Sequence, residues 1–255
     1  MTGAGLTLGG QARAADPAIA IKPWMQELGD GVDTAPYGMP SEYEAHVKRR
    51  NVEWLTADTV SSINFTPLHE LDGIITPNGL CFERHHAGVA RVDPSEYRLM
   101  INGLVDTPLV FTLEDLMRFP RENHVYFLEC AANSGMEWRG AQLNGCQFTH
   151  GMIHNVMYTG VPLRLILEEA GVKTEGKWLL PEGADASGMT RSIPMEKAMD
   201  DCLVAFKMNG EALRPVGVAI QRHEAVGAQL RHVGEGAFAK IFEAQEGDGG
   251  AGFDS

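Results

Sequence analysis

A single cysteine at the end of an apolar run has the chemistry and the setting of a metal ligand. Residues 125–128 read Val-Tyr-Phe-Leu, which is typical of a buried strand, and Cys130 follows after one residue. Residues 131–135 are Ala-Ala-Asn-Ser-Gly, which are small and favour a turn. A thiolate is a soft metal ligand, and small neighbours leave room beside the sulfur for a bulky cofactor. An inert core cysteine is the alternative for this stretch alone.

A second set of chemistry-bearing side chains lies at residues 82–86, which read Phe-Glu-Arg-His-His between two apparent loops. Arg84, His85 and His86 are adjacent donors, and a guanidinium beside imidazoles suits a phosphate group or a tetrahedral oxyanion. Glu83 offsets part of this charge, so a solvated basic patch is the alternative. The segment alone leaves both interpretations open.

The cysteine spacing narrows the classes of thiol chemistry. The cysteines at positions 81, 130, 146 and 202 form no C-x-x-C pair, which excludes a zinc module and a thioredoxin-type motif. A redox function of Cys130 with Cys81 or Cys146 would lack a resolving cysteine close in sequence. In an exported protein two of the four could form a disulfide, and the sequence does not select the pair.

The composition excludes two broad classes of function. The 255 residues carry a formal net charge of −13, which argues against a general role on nucleic acid or on an anionic membrane surface. No apolar run reaches the roughly 18 residues that a transmembrane helix needs. The length and the 44% hydrophobic content allow one large domain or two small ones.

Residues 1–15 are predicted to be the remnant of an export signal. A short apolar core at 3–10 precedes Ala12-Arg13-Ala14, an A-x-A site whose cleavage would release a chain beginning near Ala15. The basic region that normally precedes such a core is missing, so we interpret the start of the signal as truncated. This signal predicts a periplasmic location. The alternative is a flexible Gly/Ala tail on a cytoplasmic protein.

The elements that must position these residues follow no regular alternation. The strands predicted from apolar and alternating runs are 97–101, 108–111, 125–128, 178–180 and 203–208. The predicted helices are 42–50, 113–119, 162–170 and 195–199, with a helix-like piece at 235–245. Asn102-Gly103 predicts a hairpin, and residues 138–160 are predicted to be loop. The fold class is therefore α+β, with mixed β-sheets and short helices.

Five short motifs, in the same order, resemble the sulfite oxidase family of molybdenum-cofactor proteins over residues 67–215. Within that family the sequence is most similar to the sulfane dehydrogenase branch of bacterial thiosulfate oxidation. Each motif alone is weak, whereas five in order are specific. They are F-x-R-x-H at 82–86, C-A-x-N at 130–133, G-x-x-L at 160–163, E-G-x-D at 182–185, and S-I-P at 192–194 with M-N-G-x-x-L at 208–213.

The resemblance implies a sulfite-oxidase-type molybdopterin-binding domain with defined site residues. Cys130 would supply the protein thiolate to molybdenum, beside the two sulfurs of a pyranopterin dithiolene, and would be catalytic together with Arg84. Asp185 would bond the pterin ring. The residues that would hold the pterin phosphate and border the substrate oxyanion site are Phe82, Arg84, His85 and His86.

The resemblance also implies a reaction and partners. The family transfers an oxygen atom to the sulfur of sulfite, giving sulfate and two electrons for a c-type cytochrome. In the sulfane dehydrogenase branch the substrate is a sulfane sulfur on a carrier protein. In such enzymes the cofactor performs the redox chemistry, while the protein positions and tunes it. A cofactor-free, catalytically dead relative that acts as an interaction module is the alternative function.

The resemblance divides the chain into four predicted parts. Residues 1–15 are the signal remnant, 16–70 an N-terminal arm, 71–215 an incomplete molybdopterin-binding domain, and 216–255 an unmatched and partly disordered tail. Beyond such a domain the family has the rest of the cofactor pocket, an active-site tyrosine and an immunoglobulin-like homodimerisation domain. Residues 216–255 match none of these, so we expect a truncated or frameshifted relative.

Overall fold

The structure is a computed structural model that describes residues 22–23, 26, 28, 42–51, 63–86, 93–140, 145–183 and 188–213, and the backbone of 218–221, 230–232 and 237–242. The chain divides into two compact units, Met1–Ala45 and His46–Ser255. In the first unit, residues Glu42–Glu44 form a 3₁₀ turn. The predicted export signal at 1–15 lies outside the described residues. No helix in the described part of the chain is long and apolar enough to cross a membrane.

The second unit is built from short strands and a few short helices. The strands are β1 (Arg50–Asn51), β2 (Asn64–Phe65), β3 (Arg98–Gly103), β4 (Leu109–Thr112), β5 (Glu122–Glu129), β6 (Ile153–Pro162), β7 (Trp178–Gly183), β8 (Ile193–Pro194), β9 (Leu203–Met208), β10 (Glu211–Ala212), β11 (Val218–Gln221), β12 (Leu230–His232) and β13 (Ala237–Phe242). The helices are α1 (Leu113–Arg118), α2 (Cys146–His150), α3 (Leu163–Ala170) and α4 (Met195–Asp200). Single 3₁₀ turns occupy Leu68–Glu70, Asn78–Leu80 and Gly135–Arg139.

Two sheets form the body of this unit. A six-stranded antiparallel sheet has the order β12-β11-β9-β6-β5, with β10 paired to β9. A five-stranded sheet has the order β4-β3-β13-β7-β8, in which β13 runs parallel to β3 and antiparallel to β7. β1 and β2 form a separate two-stranded ribbon. This architecture of mixed sheets and short helices confirms the predicted α+β class.

Local signals explain the helices that the sequence predicted. Thr112 caps α1 by accepting a hydrogen bond from the Asp115 backbone N–H at 3.0 Å, and the Asp115 carboxylate accepts the Thr112 backbone N–H in return. α3 ends at Gly171, which adopts the left-handed conformation with φ of 69°. The buried face of α3 then covers the main core, with Leu163, Ile166 and Leu167 fully inaccessible.

One close approach between strands fixes the six-stranded sheet. Gly160 lies at an irregularity in the pairing of β6 with β9. A β-carbon at this position would lie 2.2 Å from the backbone oxygen of Val204 and 2.7 Å from the Cα of Ala205. Only a residue without a side chain therefore allows the two strands to pair here.

Three element predictions are wrong. The segment 138–160, predicted as loop, contains α2 and most of β6. Residues 42–50 form a 3₁₀ turn and the first residue of β1 instead of one helix. Residues 237–242 form β13, although 235–245 was predicted to be helix-like. β1, β6 and β13 form by pairing with strands elsewhere in the chain, and local propensity does not decide their conformation.

The segment 216–255 contributes strands to both sheets. The backbone of β11 pairs with β9, and the backbone of β13 fills the position between β3 and β7. The domain boundaries inferred from the sequence, and the partly disordered tail, stay predictions.

Candidate functional site

Cys130 lies where β5 ends and the chain turns, as the sequence predicted. Its backbone N–H donates to the carbonyl oxygen of Met152 at 3.0 Å, which extends the β5–β6 pairing by one residue. The Cys130 side chain is half-buried, and the two alanines that follow are exposed. Cys130 packs at the border of a small apolar cluster formed by Phe65, Phe82, Leu128, Phe148 and Met152. The thiol is therefore held by rigid neighbours on one side, and small residues flank it on the other.

Asn133 ties this turn to both strands. Its backbone N–H donates to the Cys130 carbonyl oxygen at 2.8 Å, which closes the turn. Its side-chain Nδ2 donates to the Glu129 carboxylate at 2.9 Å, and its Oδ1 accepts the backbone N–H of Met152 at 3.0 Å. One amide thus joins the end of β5, the turn and the residue before β6. Ser134, next in the chain, has a positive φ of 60° and donates its N–H to the Thr149 carbonyl oxygen at 2.8 Å.

The segment 82–86 runs beside β2 and is fixed by hydrogen bonds to it. The backbone N–H of Phe82 donates to the Thr66 hydroxyl at 2.9 Å, and that of Glu83 donates to the Asn64 side chain at 2.7 Å. Arg84 then forms an antiparallel bridge with Ile63. The Phe82 side chain is completely buried in the cluster that Cys130 borders. The structure therefore brings the cysteine motif and the Phe-x-Arg-x-His motif to one apolar cluster.

The charged residues of this segment do not form a uniform solvated patch. His85 is 8% exposed, and its Nε2 lies 3.4 Å from the Glu83 carboxylate. Glu83 also receives the guanidinium of Arg49 at 2.9 Å. Arg84 is half-buried and donates to the carbonyl oxygen of His85, whereas His86 is exposed. The alternative of a solvated basic patch therefore fits His86 and does not fit His85.

A buried histidine on β6 lies beneath Phe82 and was missed by the sequence reasoning. The His154 ring centroid is 5.0 Å from that of Phe82, and the His154 side chain is 2% exposed. Its Nε2 shares a hydrogen bond of 3.2 Å with the Tyr158 hydroxyl. His154 pairs with Leu128 across the β5–β6 ladder. His154, Val156 and Tyr158 are buried on one face of β6. Their spacing of two residues is the sequence signal that could have indicated this strand.

The other residues predicted to take part in binding or redox chemistry lie apart from this cluster or outside the described residues. Asp185 falls within residues 184–187, which lie outside the described residues; the preceding Gly183 ends β7 in the other sheet. All four cysteines are thiols. Cys81 is buried in a different apolar cluster from the one that Cys130 borders, and Cys146 is exposed at the start of α2. This arrangement gives no support to a redox pair of Cys130 with either residue.

The residues around Cys130 fit the cofactor that the resemblance implies. A reachable thiol suits a soft metal, and the exposed alanines beside it leave space for a large group. The Arg84 guanidinium and the His86 imidazole supply donors of the kind that a phosphate requires. Within the described ranges, no three His, Cys, Asp or Glu side chains are grouped so as to hold a metal ion.

Burial raises the pKa of one tyrosine in the strand that leads to the site. Burial, with smaller contributions from Asp201 and other nearby acidic groups, raises the pKa of Tyr126 to about 12. The Tyr126 hydroxyl donates to the Asp201 carbonyl oxygen at 3.3 Å. The Tyr126 hydroxyl therefore keeps its proton to higher pH than an exposed tyrosine, and its hydrogen bond holds β5 to the residue that follows α4.

Comparison with known proteins places the domain. The family described as the oxidoreductase molybdopterin binding domain matches residues 86–217. The chain is 34% identical to sulfite oxidase of Gallus gallus over 173 residues, covering 62% of this chain and 38% of that protein. It is 31% identical to the NADH nitrate reductase of Volvox carteri over 220 residues, covering 71% of this chain and 25% of that protein.

A solved structure shows the same fold at higher identity. The crystal structure of the sulfane dehydrogenase SoxCD from Paracoccus pantotrophus is similar with a TM-score of 0.82 and 56% sequence identity, covering 88% of this chain and 58% of that chain. The chain thus spans a quarter to two fifths of these two curated relatives. The family match covers more than half of the chain, and its cofactor is a molybdopterin. This chain belongs to the oxidoreductase molybdopterin-binding-domain family, as a molybdoprotein of the sulfite oxidase type.

Proposed function

We propose that this protein oxidises sulfite or a protein-bound sulfane sulfur by oxygen-atom transfer and passes the electrons to a c-type cytochrome. Membership of a molybdopterin-dependent oxidoreductase family supports the reaction class. The 56% identity to a sulfane dehydrogenase favours the sulfane branch. We further propose export to the periplasm, on the basis of the predicted signal remnant at 1–15.

One observation carries the proposal. Cys130 is a half-buried thiol at the end of a paired strand, and it borders the same apolar cluster as Phe82 of the second motif. A structural cysteine needs no small, exposed neighbours, whereas a ligand of a bulky cofactor does. We propose that the Cys130 thiolate is the protein ligand of molybdenum.

When bound, the molybdopterin centre supplies the two-electron oxidation of sulfur together with the oxygen atom that is transferred. The chain's residues position it. The backbone hydrogen bonds from Cys130 to Met152 and from Asn133 to Cys130 fix the main chain that carries the sulfur relative to both strands. This rigidity allows the thiolate to hold the metal in one geometry, because a ligand on a paired strand moves less than one on a loop.

Residues 84–86 are proposed to bind the phosphate of the pterin or the oxyanion of the substrate. Arg84 would place its guanidinium at the phosphate of the pterin or at the oxyanion of the substrate, and exposed His86 would add a second donor. Buried His85, held near Glu83, would anchor the backbone of this segment and so orient Arg84. Asp185 is proposed to bond the pterin ring.

The decisive experiment compares Cys130→Ser with Cys146→Ser. Both substitutions remove one thiol. Cys146 is exposed and belongs to neither of the two motifs at the proposed site, so Cys146→Ser is the matched control. The proteins are expressed in a host that makes molybdenum cofactor, and molybdenum per chain and sulfite:cytochrome c activity are measured. We expect wild type and Cys146→Ser to carry about one molybdenum per chain and Cys130→Ser to lose activity, because a hydroxyl is a poor ligand for a soft metal.

Two outcomes would contradict the proposal. Full activity of Cys130→Ser would remove Cys130 as the metal ligand. Wild-type protein without molybdenum, after expression in the competent host, would favour the cofactor-free interaction module instead. Parallel assays with sulfite and with a sulfane sulfur on a carrier protein distinguish the two substrate classes.

A further inference from the structure

Among the described strands, β5 lies at one edge of the six-stranded sheet. In the described part of the chain β5 ends the six-stranded sheet and pairs with β6 alone. Its sequence, Glu-Asn-His-Val-Tyr-Phe-Leu-Glu, contains neither proline nor lysine. Natural proteins protect exposed edge strands with these residues or with bulges, because an unprotected edge pairs with other strands. An eight-residue edge without such protection is suited to pairing.

The hydrogen-bond pattern identifies which residues of β5 face outward. Cys130 donates to Met152, so residues of β5 at even positions bond to β6. On β6, the backbone of Asn155 bonds to Thr76, and the Met157 carbonyl oxygen accepts from Asn209. The backbone groups of these two β6 residues therefore point away from β5. In an antiparallel ladder their partners point away as well.

The partners of Asn155 and Met157 are Phe127 and Val125. The N–H and C=O groups of Asn123, Val125, Phe127 and Glu129 are therefore directed to the open edge. The side chains of these residues also share one face of the sheet, and on that face Val125 is 48%, Phe127 41% and Met157 36% exposed. The open edge thus combines four pairs of backbone groups with an adjacent apolar patch.

We propose that β5 pairs antiparallel with β5 of a second copy of this chain, about a twofold axis at Val125. In this register Val125 faces Val125, and Asn123 faces Phe127 of the partner subunit, so that outward-directed groups meet outward-directed groups. Arg121 then faces Glu129 of the partner subunit, twice across the axis. The two Arg121–Glu129 pairs support both a second copy of the chain as the partner and this register. Opposite charges that face each other across two paired strands stabilise the pairing, and like charges destabilise it.

Neighbouring registers lack this match. Shifting the axis by half a residue in either direction would pair outward-directed groups with inward-directed ones, and the shift toward Tyr126 would also place Glu122 opposite Glu129 of the partner subunit. Shifting it by a whole residue in either direction removes the Arg121–Glu129 contact. In the proposed register Glu122 faces Leu128, so no carboxylate faces another.

A cysteine placed on the axis tests the register directly. Directly opposed residues that exchange hydrogen bonds have Cα atoms about 5.5 Å apart, which is within the range of a disulfide. Val125→Cys is therefore expected to form a covalent dimer under mild oxidation. Asn123→Cys is the matched control, because its copies would lie about 14 Å apart at a rise of about 3.4 Å per residue. Both are made in a Cys146→Ser background to remove the exposed thiol.

Sedimentation analysis of the purified full chain tests the interface without oxidation. We expect wild type to be a dimer, and Val125→Lys to be a monomer because two ammonium groups would meet on the axis. Val110→Lys is the control: Val110 is 52% exposed on the edge strand β4 of the other sheet, and its substitution should leave the dimer intact. Arg121→Glu should weaken dimerisation by about tenfold through two lost ion pairs and two repulsions.

The results that would overturn the proposal are specific. A wild-type monomer at micromolar concentration, or a dimer that Val125→Lys leaves intact, would refute pairing through β5. Equal cross-linking of Val125→Cys and Asn123→Cys would refute the register. Circular dichroism verifies that each variant is folded, and the exposure of all substituted side chains makes folding the expected result.

Discussion

Replacing Asn133 with alanine should destabilise the turn that carries Cys130 more than any other single truncation of a polar side chain there. The substitution removes the acceptor of the Met152 N–H at 3.0 Å and the donor to the Glu129 carboxylate at 2.9 Å. A partly buried N–H left without an acceptor costs about 1–2 kcal/mol, and the lost bond to a charged group adds about 1 kcal/mol. The expected loss of unfolding free energy is therefore about 2–3 kcal/mol.

Urea unfolding followed by circular dichroism measures this loss, and Asn123→Ala is the control. Asn123 lies on β5, the strand that precedes the turn, is exposed, and accepts a hydrogen bond from the Thr159 hydroxyl at 2.6 Å. Its removal should cost about 0.5 kcal/mol or less because water replaces the lost partner. Equal losses for the two variants would show that the Asn133 amide does not hold the turn.

The Asn133→Ala variant also tests how far turn geometry governs the site. If Asn133 positions the Cys130 sulfur, the variant should bind less molybdenum per chain under conditions in which it remains folded. Normal metal content together with the expected loss of stability would assign Asn133 to folding alone.

Three further predictions follow from individual contacts. Gly160→Ala should lower the free energy of unfolding in urea by about 1–3 kcal/mol, because its β-carbon would lie 2.2 Å from a carbonyl oxygen of β9. Gly79→Ala is the control, since Gly79 has open space around it, and it should lower the free energy of unfolding by less than about 1 kcal/mol. Equal losses for the two variants would refute the close packing at Gly160. The hydrogen bonds from Thr112 lower the pKa of Asp115 from 3.8, so its stabilisation is present above pH 3.8 and is lost as pH falls through the lowered value. Asp115→Asn should therefore be less stable than wild type at pH 7, and this difference should shrink in acid; a difference independent of pH would contradict the assignment. Arg84→Ala should raise KM more than it lowers kcat, and an unchanged KM would remove Arg84 from the substrate pocket.

Local sequence signals predicted the elements whose ends they mark. α3 has proline before its first residue and Gly171 after its last, and the left-handed conformation of that glycine is what the pattern predicted. The Thr112 cap located α1 in the same way. The strand before Cys130 was recognised because its apolar run is continuous. These signals act over a few residues and need no knowledge of the rest of the fold.

Elements formed by distant pairing were missed. β6 contains asparagine, histidine and glycine, which lower its strand propensity, and it forms because β5 and β9 pair with it on either side. β13 reads Ala-Phe-Ala-Lys-Ile-Phe within a helix-like composition, and its backbone is extended because it fills the position between β3 and β7. Local propensity cannot reveal such a position, since it exists only once the other strands are in place.

Only part of the candidate site was likewise predictable from the sequence. The position of Cys130 at a strand end followed from its neighbours in sequence. Phe82 belongs to the apolar cluster that Cys130 borders, and its ring packs against that of His154. These contacts join residues from separate segments and were not predictable from spacing. The side-chain bonds of Asn133 were also not predictable, because the motif that contains this residue gives its type and not its partners.

The central place of β13 in the five-stranded sheet has a consequence during synthesis. Ala237 pairs with Leu99, so 138 residues of chain separate two neighbouring strands, counted from 99 to 237. At about 5–20 residues per second, a ribosome needs roughly 7–28 seconds between making β3 and making its partner. β3 exposes an edge for that whole interval, and β7 exposes one from the time it is made, 54 residues before Ala237 if counted from Gly183. The nascent chain therefore passes through a period in which association with other chains competes with its own completion, and a chaperone that binds extended segments would act in that interval.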